Sequence, residues 1–206
     1  MSANVYFFIA VIPSIVLHEV SHGYVANFFG DPTAKENHRL TLNPLRHVDP
    51  FGTVILPILF VYSGLPAFGY AKPVPVNISR LRDPRRQALY VSLAGPLVNI
   101  ILSGVGYVMC ELSLHVFHSG ALLQLGFSFG IVNLILAAFN LLPLPPLDGS
   151  AVIERFLPTR KLPGYYRFRA YAFPLVFAFI LIISVFTHVR VTAVNDLETW
   201  WVGLLF

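Results

Sequence analysis

The chain has 206 residues, of which 56% are hydrophobic and only 12% are charged. This composition is far more apolar than that of a soluble globular domain, and it indicates an all-α polytopic membrane protein. The net charge of +4 could suggest nucleic acid, but the basic residues flank apolar segments. That pattern fits membrane topology and anionic lipid headgroups better, so we expect the lipid bilayer, and no nucleic acid, as a partner. The single cysteine, Cys110, excludes an internal disulfide.

The hydrophobic pattern predicts about four to six membrane segments. The predicted spans are residues 5–29, 88–116, 122–142 and 172–189. Residues 51–71 are apolar but interrupted by Gly and Pro, which favours a re-entrant or membrane-edge hairpin between the first two of these spans. The tail, residues 191–206, is predicted to lie along the membrane interface, with a partial final span as the alternative.

The first span carries the pattern H-E-x-x-H at His18, Glu19 and His22. Because an α-helix has 3.6 residues per turn, two histidines four residues apart project from one helix face. Two neutral imidazoles so placed can bind one Zn²⁺, and Glu19 can act as general base. The alternative is a pair of buried histidines that are hydrogen-bonded within a helix bundle, although such groups are costly in a membrane without a function.

The third predicted span ends in a proline-rich stretch, residues 140–149, whose three prolines within four residues cannot continue an α-helix. Irregular backbone at membrane depth is tolerated where it is buried in protein or lines a cavity. Asp148 is the acidic residue presented there, and its expected depth matches that of His18. It therefore predicts a third metal ligand, although an N-cap for the helix that follows is the ordinary alternative.

The positions of the basic residues predict the topology. Thirteen of the fourteen Lys and Arg residues lie in two regions, 35–86 and 155–169. The hairpin of spans 88–116 and 122–142 places these regions on one side, provided that 51–71 does not cross. The positive-inside rule then makes both regions cytoplasmic and both termini external. If 51–71 does cross, the loop at 35–46 is external instead.

Three motifs together resemble the site-2 protease family of intramembrane zinc metalloproteases. They are His18-Glu19-Val20-Ser21-His22, Gly95-Pro96-Leu97-Val98-Asn99 and Asn140-Leu141-Leu142-Pro143-Leu144-Pro145-Pro146-Leu147-Asp148-Gly149, in the family's order. The resemblance implies one Zn²⁺ bound by His18, His22 and Asp148, with Glu19 as the catalytic base.

The resemblance also implies two substrate-binding residues. Asn140 would hold the substrate backbone, and Asn99 would support binding. Without the family, Asn140 could be a helix C-terminal cap and Asn99 an interhelical hydrogen-bond partner.

The function implied is hydrolysis of a peptide bond within or near a transmembrane segment of a membrane-protein substrate. We expect one membrane-embedded domain over 1–206, with a catalytic core at about 5–150 and a C-terminal span and interfacial tail at 170–206. It would be a short form without a PDZ or nucleotide-sensing domain, so the hairpin or a regulatory membrane partner would select substrates. The implied location is a bacterial or archaeal cytoplasmic membrane, with the active site toward the cytoplasm. The alternative is a non-catalytic metal-binding scaffold or a transporter, which would normally offer more ionisable residues along a path.

Overall fold

The computed structural model describes residues 3–56, 58, 62, 70–169, 171–172, 175 and 199–204, and the regular structure in these ranges is helical. The helices are α1 (Ala3–Phe28), α2 (Thr33–Glu36), α3 (Pro84–Leu112), α4 (Gly120–Asn140) and α5 (Ser150–Phe156). Short 3₁₀ or π turns lie at Pro44–His47, Pro50–Ile55, Ile78–Arg80, Ser113–Phe117 and Thr159–Lys161, and residues 162–169 are also helical. Helices α1, α3 and α4 are long and apolar enough to cross a membrane. The predicted all-α membrane fold is confirmed.

Local capping explains where the spanning helices begin. Helix α3 starts at Pro84, four residues earlier than predicted, because the Asp83 side chain accepts a hydrogen bond from the Arg86 amide at 3.2 Å. Proline is favoured at the first helical position, where no amide donor is needed. Helix α4 starts after Ser119, whose hydroxyl accepts from the Leu122 amide at 3.4 Å. The predicted spans 5–29, 88–116 and 122–142 are therefore correct to within a few residues.

The three spanning helices pack against one another. Helices α3 and α4 approach closely at Gly106 and Gly130, where a Cβ on Gly106 would lie 2.4 Å from the Gly130 nitrogen. Large apolar side chains point outward instead: Phe8 is 62% exposed and Ile101 is 66% exposed. Small residues at helix contacts and large apolar residues outside are the arrangement of a helix bundle in lipid.

The two ends of the predicted hairpin 51–71 lie together, although most of that segment falls outside the described residues. The Tyr70 amide donates to the Gly52 carbonyl at 3.0 Å, and the Thr53 hydroxyl donates to the Tyr70 carbonyl at 2.9 Å. The ends of a segment that crosses the membrane once would be separated by about 30 Å. Gly52, Thr53 and Tyr70 therefore lie at the same end of the bundle.

Both basic regions also lie at one end of the bundle. The Arg85 guanidinium donates to the Arg155 carbonyl at 3.1 Å and to the Leu157 carbonyl. The Arg82 amide donates to the Phe29 carbonyl at 3.2 Å, which joins the start of α3 to the end of α1. This is the arrangement on which the predicted topology depends.

The described part of the C-terminal tail contacts the bundle through Trp201. The indole is 2% exposed, and its Nε1 donates to the Ser103 hydroxyl at 3.2 Å. A Cβ on Gly130 would lie 2.0 Å from the indole ring, so the missing side chain makes the space that the ring fills. Ser103 belongs to α3 and Gly130 to α4, so Trp201 packs against both helices. The predicted span 172–189 lies outside the described residues apart from 172 and 175.

The close approach at Gly106 predicts that Gly106→Ala destabilises the bundle by about 1–3 kcal/mol, because the added methyl group meets backbone rather than a movable side chain. Gly104→Ala is the matched control, since a Cβ at Gly104 meets nothing within 4 Å. That change should be neutral or slightly stabilising, because alanine favours a helix over glycine. Denaturant unfolding in detergent micelles measures both, and equal stability of the two variants would contradict the packing described.

Candidate metal centre

Three side-chain atoms converge in the buried interior of the bundle. His18 Nε2 and His22 Nε2 lie 3.1 Å and 3.4 Å from Asp148 Oδ2, and the two imidazole nitrogens are 3.2 Å apart. His18 is 7% exposed and His22 is 9% exposed. The structure thus brings together the three predicted metal ligands, which come from α1 and from the loop after α4. Among the described residues they are the group that could hold a metal ion.

The other nitrogen of each imidazole faces an oxygen. His22 Nδ1 is 2.7 Å from the Val91 carbonyl, and His18 Nδ1 is 2.5 Å from Asn99 Oδ1. These oxygens can only accept, so each neutral ring carries its hydrogen on Nδ1. Each Nε2 therefore presents a lone pair toward Asp148. Asp148 Oδ2 is itself buried and has no hydrogen-bond partner among the described residues.

Three acceptor atoms with no hydrogen between them fit a cation. Two atoms that each lie about 2.0–2.1 Å from one tetrahedral zinc ion are about 3.3–3.4 Å from each other. The observed separations of 3.1–3.4 Å match that spacing. Two neutral imidazoles and one carboxylate are also a ligand set that zinc takes in hydrolytic enzymes.

Gly95 of α3 makes the space for the imidazoles. A Cβ at this position would lie 2.5 Å from both His18 Cε1 and His22 Nε2. Any larger residue would push the rings away from Asp148. In the sequence Gly95 is visible only as part of a motif, since its steric role depends on how α3 is rotated against α1.

The loop after α4 brings Asp148 back to the bundle because the end of the loop is hydrogen-bonded to its beginning. The Gly149 amide donates to the Asn140 carbonyl at 2.7 Å, and a Cβ on Gly149 would lie 2.2 Å from the Leu141 carbonyl oxygen. Only glycine fits this crossing without a shift of backbone. The alternative that Asp148 is an N-cap is not realised, because Gly149 occupies the N-cap position of α5 and no side chain caps it.

Glu19 faces an extended segment, residues 70–77, that runs past α1. Its Oε2 accepts a hydrogen bond from the Val74 amide at 2.9 Å, and Glu19 itself is half-buried. The same segment is fixed further along, where the Asn77 amide donates to the buried Asp31 carboxylate at 2.6 Å. The candidate base therefore borders a stretch of backbone that forms neither helix nor turn.

The structure places the two predicted substrate-binding residues differently. Asn99 is fully buried behind His18, so its position favours orienting that ligand over touching a substrate. Asn140 is half-buried at the last residue of α4, and its side chain donates to the Leu136 carbonyl at 3.0 Å. In this arrangement its amide is directed to its own helix.

Sequence reasoning missed two further polar residues of the site, Ser14 and Asn133. Both are fully buried and continue the hydrogen-bond chain that starts at His18 and Asn99. A signal was available, since Ser14 lies four residues before His18 and Asn133 lies seven residues before Asn140. Those spacings put each polar residue on the helix face of a candidate site residue.

The fold and this site define an integral membrane protein with a buried group of three residues that could hold a metal ion. The model of peptidase family M50 matches residues 6–120 and 114–183 of the chain. The chain therefore belongs to peptidase family M50, the site-2 proteases, whose metal is zinc.

Similar proteins agree with this assignment. "Putative zinc metalloprotease YwhC" of Bacillus subtilis is 42% identical over 77% of this chain and 72% of its own length. "Putative zinc metalloprotease Rip2" of Mycobacterium tuberculosis is 35% identical over 94% of this chain and 68% of its own length. "Zinc metalloprotease MJ0392" of Methanocaldococcus jannaschii is 27% identical over 77% of this chain and 35% of its own length. No solved structure matches the chain.

The gap at Gly95 predicts that Gly95→Ala lowers the zinc content of the purified protein, because the methyl group displaces both imidazoles. Gly104→Ala, the same change on an open face of the same helix, should retain the wild-type zinc content. Zinc per protein chain, measured by atomic emission, checks both. Full zinc occupancy in Gly95→Ala would mean that the imidazoles do not occupy this space.

Proposed function

We propose that this protein hydrolyses a peptide bond within or beside a transmembrane segment of a membrane-protein substrate, with Glu19 as the general base. The proposal rests chiefly on the convergence of His18, His22 and Asp148, with the motif glutamate next in sequence to His18, inside a bundle of membrane spans. A site at this depth is suited to a substrate that arrives through the bilayer.

The proposed role of each residue follows from its contacts. His18, His22 and Asp148 would hold the zinc ion, which when bound activates water and polarises the scissile carbonyl. Glu19 accepts the proton of the attacking water and passes it to the leaving amine. The Val74 amide holds one carboxylate oxygen of Glu19, which fixes the orientation of this base.

The extended segment 70–77 is our candidate for receiving unwound substrate backbone. Its Lys72 and Val74 amides are engaged by the His47 carbonyl and by Glu19. Pro73 and Pro75 have no amide hydrogen, so the edge formed by these prolines offers carbonyl oxygens alone. A substrate strand would donate its own amides to that edge, in β-addition. Asn140 would join substrate binding by turning from the Leu136 carbonyl.

The proposed orientation puts the site toward the cytoplasm. The two basic regions meet through Arg85, and the ends of 51–71 meet at Gly52 and Tyr70. Under the positive-inside rule this shared end is cytoplasmic. Cleavage would then release fragments on that side.

The central test is Glu19→Gln. We expect it to abolish cleavage of a model transmembrane substrate by the reconstituted protein while zinc stays bound, because glutamine cannot accept the proton. His22→Ala and Asp148→Ala should instead lower zinc occupancy. Cleavage that persists in Glu19→Gln would overturn the assigned role, and a transporter or scaffold would show no cleavage even in the zinc-loaded wild type.

The orientation is tested by cysteine labelling in intact cells, in a Cys110→Ala background. Asn37→Cys and Ser79→Cys flank the segment 51–71, and both should resist a membrane-impermeant thiol reagent until the cells are opened. Both positions lie in polar loops outside the spanning helices. Labelling of Asn37→Cys alone in intact cells would mean that 51–71 crosses the membrane, which contradicts the proposed orientation.

A further inference from the structure

A chain of buried polar side chains leads from His18 into the middle of the bundle. Asn99 Nδ2 donates to Asn133 Oδ1 at 2.7 Å, and Asn133 Nδ2 donates to the Ser14 hydroxyl at 2.7 Å. Asn99, Asn133 and Ser14 each have no exposed surface. The chain joins α3, α4 and α1, and buried polar groups of this kind inside a membrane usually have a function.

The hydrogen-bond partners of Ser14 and Asn133 determine which atom donates and which accepts along this series of hydrogen bonds. The Ser14 hydroxyl gives its hydrogen to the Ala10 carbonyl at 2.7 Å, so its oxygen is left to accept. Asn133 Nδ2 lies 2.8 Å from the Phe129 carbonyl, which is also an acceptor only. The amide nitrogen of Asn133 must therefore face Phe129 and Ser14, and its oxygen must face Asn99.

The orientation of the Asn133 amide in turn sets the orientation of the Asn99 amide. Because Asn133 presents an oxygen at 2.7 Å, Asn99 turns its Nδ2 toward Asn133 and its Oδ1 toward His18. The Ser14 carbonyl accepts from the same Nδ2 at 3.5 Å, which makes Asn133 the shorter and stronger of the two acceptors. An oxygen at that place requires a hydrogen on His18 Nδ1, and Nε2 is then free to bind a metal. If the Asn99 amide were flipped, the hydrogen of His18 would move to Nε2 and point at Asp148.

We propose that Asn133 is a positioning residue that fixes the orientation of the Asn99 amide, and through it the metal-binding tautomer of His18. The proposal rests on His18 being a zinc ligand, as inferred above. His22 needs no such chain, since the Val91 carbonyl that it contacts can only accept. His22 is therefore an internal reference within the same site.

The experiment reads the tautomers directly by long-range ¹H–¹⁵N NMR of the full-length, zinc-free protein in micelles, labelled with ¹⁵N-histidine. The His18 signals are assigned by their loss in His18→Gln. Two variants, Asn133→Leu and the smaller Asn133→Ser, remove the amide, and either folded variant decides the question. Ser103→Ala is the control, because it removes a buried hydrogen bond to Trp201 that is not connected to His18.

In the wild type both His18 and His22 should carry hydrogen on Nδ1. In the Asn133 variants His18 should populate the other tautomer while His22 stays unchanged. The dissociation constant for zinc, measured by chelator competition, should rise about tenfold in these variants and stay constant in Ser103→Ala. Retention of the Nδ1 hydrogen on His18 together with unchanged zinc affinity would overturn the proposal, as would an equal change at both histidines. Neither readout requires proteolysis, so failure of the proposed protease function would appear separately.

Discussion

The structure depends on three acceptor atoms that face one another with no hydrogen between them. His18 Nε2, His22 Nε2 and Asp148 Oδ2 lie within 3.4 Å of one another in the interior of a membrane bundle. Repulsion between the carboxylate and the two lone pairs, together with the cost of burial, opposes this arrangement. A metal ion at this place would offset that cost and give the buried polar groups a function.

Neighbouring residues provide the space and the hydrogen bonds that this arrangement requires. Gly95 leaves room for the rings, and Gly149 lets the loop after α4 return Asp148 to α1. Asn99 and the Val91 carbonyl turn the imidazole hydrogens away from the centre. Helix association in lipid lacks a hydrophobic driving force. The close Gly106–Gly130 contact and the buried hydrogen bonds therefore hold the helices together here.

The convergence of His18, His22 and Asp148 could be predicted because each part of it is marked by a local sequence pattern. His18 and His22 share a helix face by period alone, and Asp148 follows prolines that cannot be helical. Contacts that depend on the rotation of one helix against another were not predictable. The chain from His18 to Asn133 and the fit of Trp201 beside Gly130 are of this kind. The hydrogen bond between Glu19 and the Val74 amide joins residues 55 positions apart, and no spacing rule indicates it.

X-ray absorption at the zinc edge of the zinc-loaded, full-length protein shows which atoms bind the metal. We expect one zinc ion with two imidazole nitrogens and oxygen ligands at about 2.0–2.1 Å, and no sulfur. Asp148→Ala should lose an oxygen scatterer or the metal itself, while both imidazoles remain in any zinc that is bound. A spectrum with a sulfur neighbour near 2.3 Å, or with fewer than two imidazoles in the wild type, would contradict this ligand set.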